Sequence, residues 1–321
     1  DNLSRKGSET NLPLLKKLGS TFIHGDIRFK EDVEELPKVD WIIDCAANPS
    51  VLAGINGGTS QLVSHNLSGT LHLLEKCRKD DAGFELLSTS RVYSIEALNT
   101  IPLIGNTDKF AVDLTGKLPH GFSAKGITEG FSTTAPVSLY GATKLASEIM
   151  ALEYAYTFGF PVWINRCSII AGPGQFGKID QGIFSFWIYQ WLLERPLSYI
   201  GFEGSGKQVR DFFSPEDLGK LLLKQFSSES KSIPKIMNIG GGLESALSLK
   251  ELNQYCVQKF GFDKHIASNP APRPFDIPYY VTDYSLATQY WDWKPETDKF
   301  ALLDQIYAWA LAHKELILNG F

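Results

Sequence analysis

No two cysteines of this chain lie close enough to suggest a shared metal. Cys45, Cys77, Cys167 and Cys256 are scattered, with no Cys-x-x-Cys pair and no Cys/His spacing of the kind zinc needs. No metal site is readable, and the expectation is free thiols in a reducing, cytoplasmic setting. No run of 18 apolar residues occurs, which excludes a spanning helix and a membrane partner. A basic stripe is missing too: 31 Lys and Arg stand against 36 Asp and Glu, a net charge of -5, which argues against nucleic acid. None of the six histidines adjoins Ser88 or Thr89, so little supports a Ser-His hydrolase. There is no initiator methionine, internal repeat or low-complexity tract.

What is present reads as α/β. Strands are expected at Ser20–His24, Val39–Ala46, Phe84–Leu87, Pro161–Cys167 and Lys235–Ile239. Apolar strands separated by helices predict a doubly wound parallel sheet covered on both faces. Val63, Leu67, Leu71 and Leu74 fall on one helix face. Ala46-Ala47-Asn48 closes a strand with small residues where a backbone can approach a ligand, and Ser88-Thr89-Ser90-Arg91 is a polar burst at another strand's carboxyl end. Open α/β sheets bind ligands at those ends. Residues 99–136 read as a long irregular segment and 298–318 as a final helix. Trp291 and Trp293 read as core packing.

Tyr140 and Lys144 are four residues apart, one turn on one helix face. An ammonium beside a phenol favours the phenolate and fits the tyrosine for proton transfer. The spacing alone is close to chance. Its weight comes from company in the chain: Asp1-Asn2-Leu3-Ser4-Arg5, Gly25-Asp26-Ile27-Arg28, Asn66-Leu67-Ser68-Gly69-Thr70, Ser88-Thr89 with Val92-Tyr93, Gly206 to Asp211, and Asn238-Ile239-Gly240-Gly241. Taken in order, these resemble the extended short-chain dehydrogenase/reductase family of nucleotide-sugar enzymes. Within it, Asp180-Gln181-Gly182, Ser248-Leu249, and Arg273 with Asp276 are similar to the CDP-tyvelose (CDP-paratose) 2-epimerase branch of lipopolysaccharide sugar biosynthesis. Ser90-Arg91 stands where sugar 4,6-dehydratases carry an acidic pair, which disfavours a dehydratase.

The resemblance implies a Rossmann-like NAD-binding domain over 1–168, with 212–240 contributing. It also implies a smaller mixed nucleotide-sugar lobe over 169–211 and 241–297, and a C-terminal helix over 298–321. Tyr140 would be the acid/base, Lys144 its modulator and ribose ligand, and Thr89 the orienting hydroxyl, with Ser88 and Ser90 as rivals. Asp1, Asp26, Ile27, Ala46, Ala47, Asn66, Ser88 and Cys167 would line the NAD site; Gln181, Arg210, Arg273 and Asp276 would hold a nucleotide-diphosphate sugar, CDP-linked. Arginine suits a diphosphate because it binds bidentately. The implied reaction inverts a sugar carbon through a transient keto sugar, without net NAD consumption. A UDP-sugar 4-epimerase and a non-catalytic nucleotide- or protein-binding member are the alternatives. Family members commonly form dimers or tetramers through the helices near Asn66 and Lys144.

The family's glycine-rich turn, first strand and first helix have no counterpart in the sequence. The strand at Phe22 would then lack the partner joining it to the one at Ile42. The expectation is that about 30 natural residues precede Asp1, the length of one strand-turn-helix-strand piece.

Overall fold

A computed structural model describes residues 1–228, 230 and 232–320. The chain divides into two compact units: Asp1–Val92 with Ser138–Arg166 and Leu222–Met237, and Tyr93–Val137 with Cys167–Leu221 and Asn238–Phe321. In chain order the main strands are β1 (Trp41–Asp44), β2 (Gly83–Thr89), β3 (Val162–Cys167), β4 (Val209–Phe213) and β5 (Ile236–Ile239). The main helices are α1 (Gly69–Asp80), α2 (Ser138–Phe158), α3 (Ile183–Leu192), α4 (Pro215–Phe226), α5 (Leu249–Phe260) and α6 (Lys299–Ala312).

The first unit is built on a sheet of order β1-β2-β3-β5. β1 and β2 run parallel, Trp41 opposite Gly83 through Asp44 opposite Leu86. Gly83 is needed there: a Cβ would stand 2.6 Å from the Trp41 ring. Leu73, Leu74 and Cys77 of α1 and Ala151 of α2 join Phe84, Leu86, Val162 and Ile164 in one core. α2 stops at Phe158 because Gly159 follows at φ 81 and Pro161 comes two residues later.

The strand expected at Ser20–His24 does not form, and Phe22 and Ile23 are exposed. An extended segment becomes a strand only when a neighbour completes its ladder. Here the contacts run instead to Asp1, its backbone nitrogen donating to the Ile23 carbonyl and Gly25 N–H to the Asp1 carbonyl. Ile43 of the edge strand β1 is likewise exposed.

In the second unit β4 pairs antiparallel with Ala246–Ser248 and parallel with Tyr279–Tyr280 and Ile169–Ile170. α3 is apolar on nearly every side, as a fully buried helix must be; its Phe184, Trp187 and Trp191 pack with Leu252, Cys256, Leu303 and Ile306 of α5 and α6. The segment 99–136 is not wholly irregular. It contains two small antiparallel pairs, Leu103–Gly105 with Phe110–Val112 and Phe122–Ser123 with Gly126–Ile127, strands too short to leave a periodic signal. The final helix breaks at His313, and Lys314–Gly320 forms a separate helix whose Ile317 enters the same core. A helix over Ser285–Trp291 was not expected; Trp291 and Trp293 are buried as expected.

Candidate active site

Helix α2 stacks three polar residues along one face. Tyr140, Lys144 and Glu148 follow at intervals of four and are 7%, 1% and 1% exposed. Lys144 has no hydrogen-bond or ion-pair partner among the described residues, an unusual state for a buried ammonium. Glu148 is the opposite case. Its carboxylate accepts from Ser88 Oγ at 2.5 Å, and from Arg166 through Nε at 3.0 Å and Nη2 at 2.7 Å. Ser88 thus commits its hydroxyl proton to Glu148. Thr89, half-buried, accepts from Arg91 N–H at 3.2 Å, and its own hydroxyl proton has no acceptor among the described residues. Ser90 opens the short turn Ser90–Val92 after β2.

The Asn66-Leu67-Ser68-Gly69-Thr70 motif has a local reason at nearly every position. Asn66 lies in a π-helical turn, Ser64–Ser68, a distortion that recurs at functional sites. Its side chain accepts from Asn48 N–H at 2.7 Å and donates to Thr143 Oγ1 at 3.1 Å. Ser147 Oγ donates to the Asn66 carbonyl at 2.9 Å. A Cβ on Gly69 would meet Ile27 Cδ1, so this helix position must be bare. Thr70 Oγ1 donates to buried Asp44 Oδ2 at 2.6 Å, tying α1 to the end of β1.

The end of β1 continues into exposed Cys45, Ala46 and Ala47. Deeper in β2, Glu85 is wholly buried and desolvation raises its pKa well above the carboxylate range. Asn165 donates to Glu85 Oε1 at 2.6 Å, and Oε2 has no partner.

Asp1 is exposed and accepts from Leu3 N–H. Asp26 is bound by the Arg28 guanidinium, whose hydrogen bonds hold its pKa far below the usual range, and by Asn2. Ile27 turns its side chain onto Gly69.

The second unit holds the other expected residues. Arg210 donates through Nη2 to Asp276 Oδ1 at 3.3 Å and to the Ile277 carbonyl at 2.6 Å. The Asp276 carboxylate pairs with Arg210, and its backbone N–H donates to the Arg273 carbonyl at 3.3 Å. Gln181 closes a tight backbone pair with Lys178, and Cys167 is buried. Glu148, Arg166, Thr143 and Ser147 were missed from sequence. Arg166 left a signal: a cation inside the strand Val162–Cys167, buried throughout, needs a counter-charge. Glu148 stands one turn beyond Lys144.

The family model described as "NAD dependent epimerase/dehydratase family" matches residues 1–240. CDP-paratose 2-epimerase of Salmonella typhi is 29% identical over 324 residues, 96% of this chain and 90% of that protein. UDP-glucuronate 4-epimerase of Thermodesulfobacterium geofontis is 27% identical over 88% of this chain and 76% of its own length. The fold is similar to that of UDP-glucuronic acid 4-epimerase from Bacillus cereus, solved with UDP-glucuronic acid and NAD. Its TM-score is 0.75 at 22% identity, covering 97% of this chain and 89% of that one.

Proposed function

Because the chain belongs to the NAD dependent epimerase/dehydratase family, a family of NAD-dependent nucleotide-sugar enzymes, we propose that it inverts a sugar carbon of a nucleotide-activated sugar, with CDP-paratose/CDP-tyvelose as the pair interconverted at C2. The observation that carries the reading is the buried Tyr140 and Lys144 on one face of α2, bonded through Glu148 to the strand end that bears Thr89. The similarity to CDP-paratose 2-epimerase, which spans nearly the whole chain, supports the choice of sugar nucleotide.

NAD supplies reversible oxidation at the sugar carbon when bound. The residues present fit it: the Lys144 ammonium has no acceptor among the described residues and suits ribose hydroxyls, and Ala46 and Ala47 leave room at the end of β1. Asp1, Asp26 and Asn66 belong to the same proposal, Asp1 toward the adenosine ribose. Ile27 faces Gly69 and would support the adenine side only from behind. Tyr140 takes the proton of the reacting hydroxyl and returns it, Lys144 favours its phenolate, and Thr89 donates to the sugar oxygen. In the second unit, Arg210, held in place by Asp276, and Arg273 bind the diphosphate, with Gln181 near the sugar. The first unit is proposed as the NAD domain and the second as the sugar-nucleotide domain. Leu139, Ile149 and Tyr156 are exposed on one side of α2 and support pairing of two copies through that helix.

Incubating the protein with CDP-paratose, CDP-tyvelose and UDP-glucuronate, and locating the inverted carbon by NMR, tests the reading. Inversion at C2 of the CDP sugars is expected, with Tyr140→Phe slower by about 10²–10⁴-fold. Inversion of UDP-glucuronate at C4 would establish the UDP-sugar 4-epimerase reading that the second relative favours.

A further inference from the structure

The Glu148–Arg166 pair stands outside the proton-transfer pair yet on the same helix face. Glu148 lies one turn from Lys144 and two turns, about 12 Å at 1.5 Å per residue, from Tyr140. It binds a strand-end hydroxyl, Ser88, next to Thr89, and a guanidinium from β3, both buried. A buried Arg–carboxylate pair costs desolvation that packed apolar side chains would avoid. Three partly independent contacts on one carboxylate, next to the proposed site, point to a role in that site.

The charged groups of the first unit around this face come from five elements, one of them the turn Ser90–Val92, which packs against α2 and carries Arg91. β1 contributes Asp44, taken up by Thr70 Oγ1 and Ala46 N–H. It also contributes Cys45, whose thiol is pushed up and is uncharged at neutral pH. β2 contributes Glu85, whose burial favours the neutral acid. β3 contributes Arg166, and α2 itself carries Lys144 and Glu148.

We propose that Glu148 is a positioning residue for the proton-transfer pair: it neutralises Arg166 and fixes Ser88, so that Lys144 remains the uncompensated cation on the Tyr140 face of α2. Removing the carboxylate exposes Tyr140 to a second cation; removing Arg166 exposes it to an uncompensated anion. The two changes therefore move the Tyr140 phenol in opposite directions. A merely structural brace moves it in neither direction or in the same one.

The inference rests on Tyr140 being the proton-transfer residue, so its test does not use turnover. The protein is labelled with 13Cζ-tyrosine, Tyr140 is assigned with Tyr140→Phe, and its titration is followed by NMR without substrate. Glu148→Gln should lower the midpoint and Arg166→Gln raise it, each by about half to one pH unit for a unit charge near 12 Å at an effective dielectric of about 20. The double variant should return to the wild-type midpoint. Shifts of the same sign, or none, in folded single variants overturn the proposal. Where one single variant does not fold, the sign of the other decides. Where neither folds, recovery of folding and of the wild-type midpoint in the double variant supports charge balance, and failure to recover overturns it. Loss of turnover in Tyr140→Phe is a separate result that bears on the function alone.

Discussion

Glu85→Gln should change how stability depends on pH, and the slope is the diagnostic. Glu85 is wholly buried in β2, accepts one hydrogen bond from Asn165 Nδ2, and leaves Oε2 without a partner. Desolvation raises its folded pKa well above that of the unfolded chain, where a glutamate titrates near 4.3. The folded protein therefore keeps a proton that the unfolded chain releases. This contribution is fully present below pH of about 4.3 and is lost as pH rises, at about 1.4 kcal/mol per pH unit, until the folded group itself ionises. Glutamine keeps the shape of the protonated acid and cannot ionise. Its Nε2 inherits the unpartnered position, an offset of about 1–3 kcal/mol that is the same at every pH. Urea unfolding of wild type and Glu85→Gln at pH 5, 6 and 7 separates the two terms. The difference in unfolding free energy should drift toward the variant as pH rises, by at most about 1.4 kcal/mol per pH unit. Parallel pH dependences would show that Glu85 is ionised in the fold and would refute the reasoning.

Two further substitutions test how α1 is seated. Gly69→Ala places a methyl into Ile27 and should cost about 1–3 kcal/mol in urea unfolding, with Ile27→Ala in the same chain recovering part of the loss; no recovery would mean the strain lies elsewhere. Thr70→Val removes the 2.6 Å donor from buried Asp44 and should cost about 1–3 kcal/mol in urea unfolding; an unchanged midpoint would mean that the hydrogen bond does not hold α1 to β1.

Local signals account for what could be read in the sequence. α2 and α5 declare themselves because their ends are chemical: Gly159 and Pro161 stop one, and the Ser248–Glu251 capping box starts the other. Ser20–His24 has the composition of a strand and is none, because pairing is settled by a neighbour that composition does not reveal. The strand pairs within 99–136 are only two or three residues long, below any periodicity. In the site, the spacing of Tyr140 and Lys144 took its weight from the motifs around it, and the resemblance ranked Thr89 ahead of Ser88. The contact of Ser88 with Glu148, 60 residues away, is a further difference between the two that the sequence does not show. The pairing of Asp276 with Arg210, 66 residues away, left no mark in the sequence, because Arg210 and Arg273 offer the same chemistry to a carboxylate.

The π-helical turn at Ser64–Ser68 also sets an alignment rule for this chain. Each residue of an ordinary helix advances by about 100°, so a turn holding one extra residue shifts the phase of everything after it. Upstream, Leu62 is buried; at the turn Asn66 points to Thr143; downstream, Thr70 reaches Asp44. The three follow at intervals of four and so share the inner face, with the turn setting how each is aimed. Deleting one residue between Ser64 and Ser68 would regularise the helix and displace Asn66 from Asn48 and Thr143, so a change that makes the backbone more ideal should make the protein less stable.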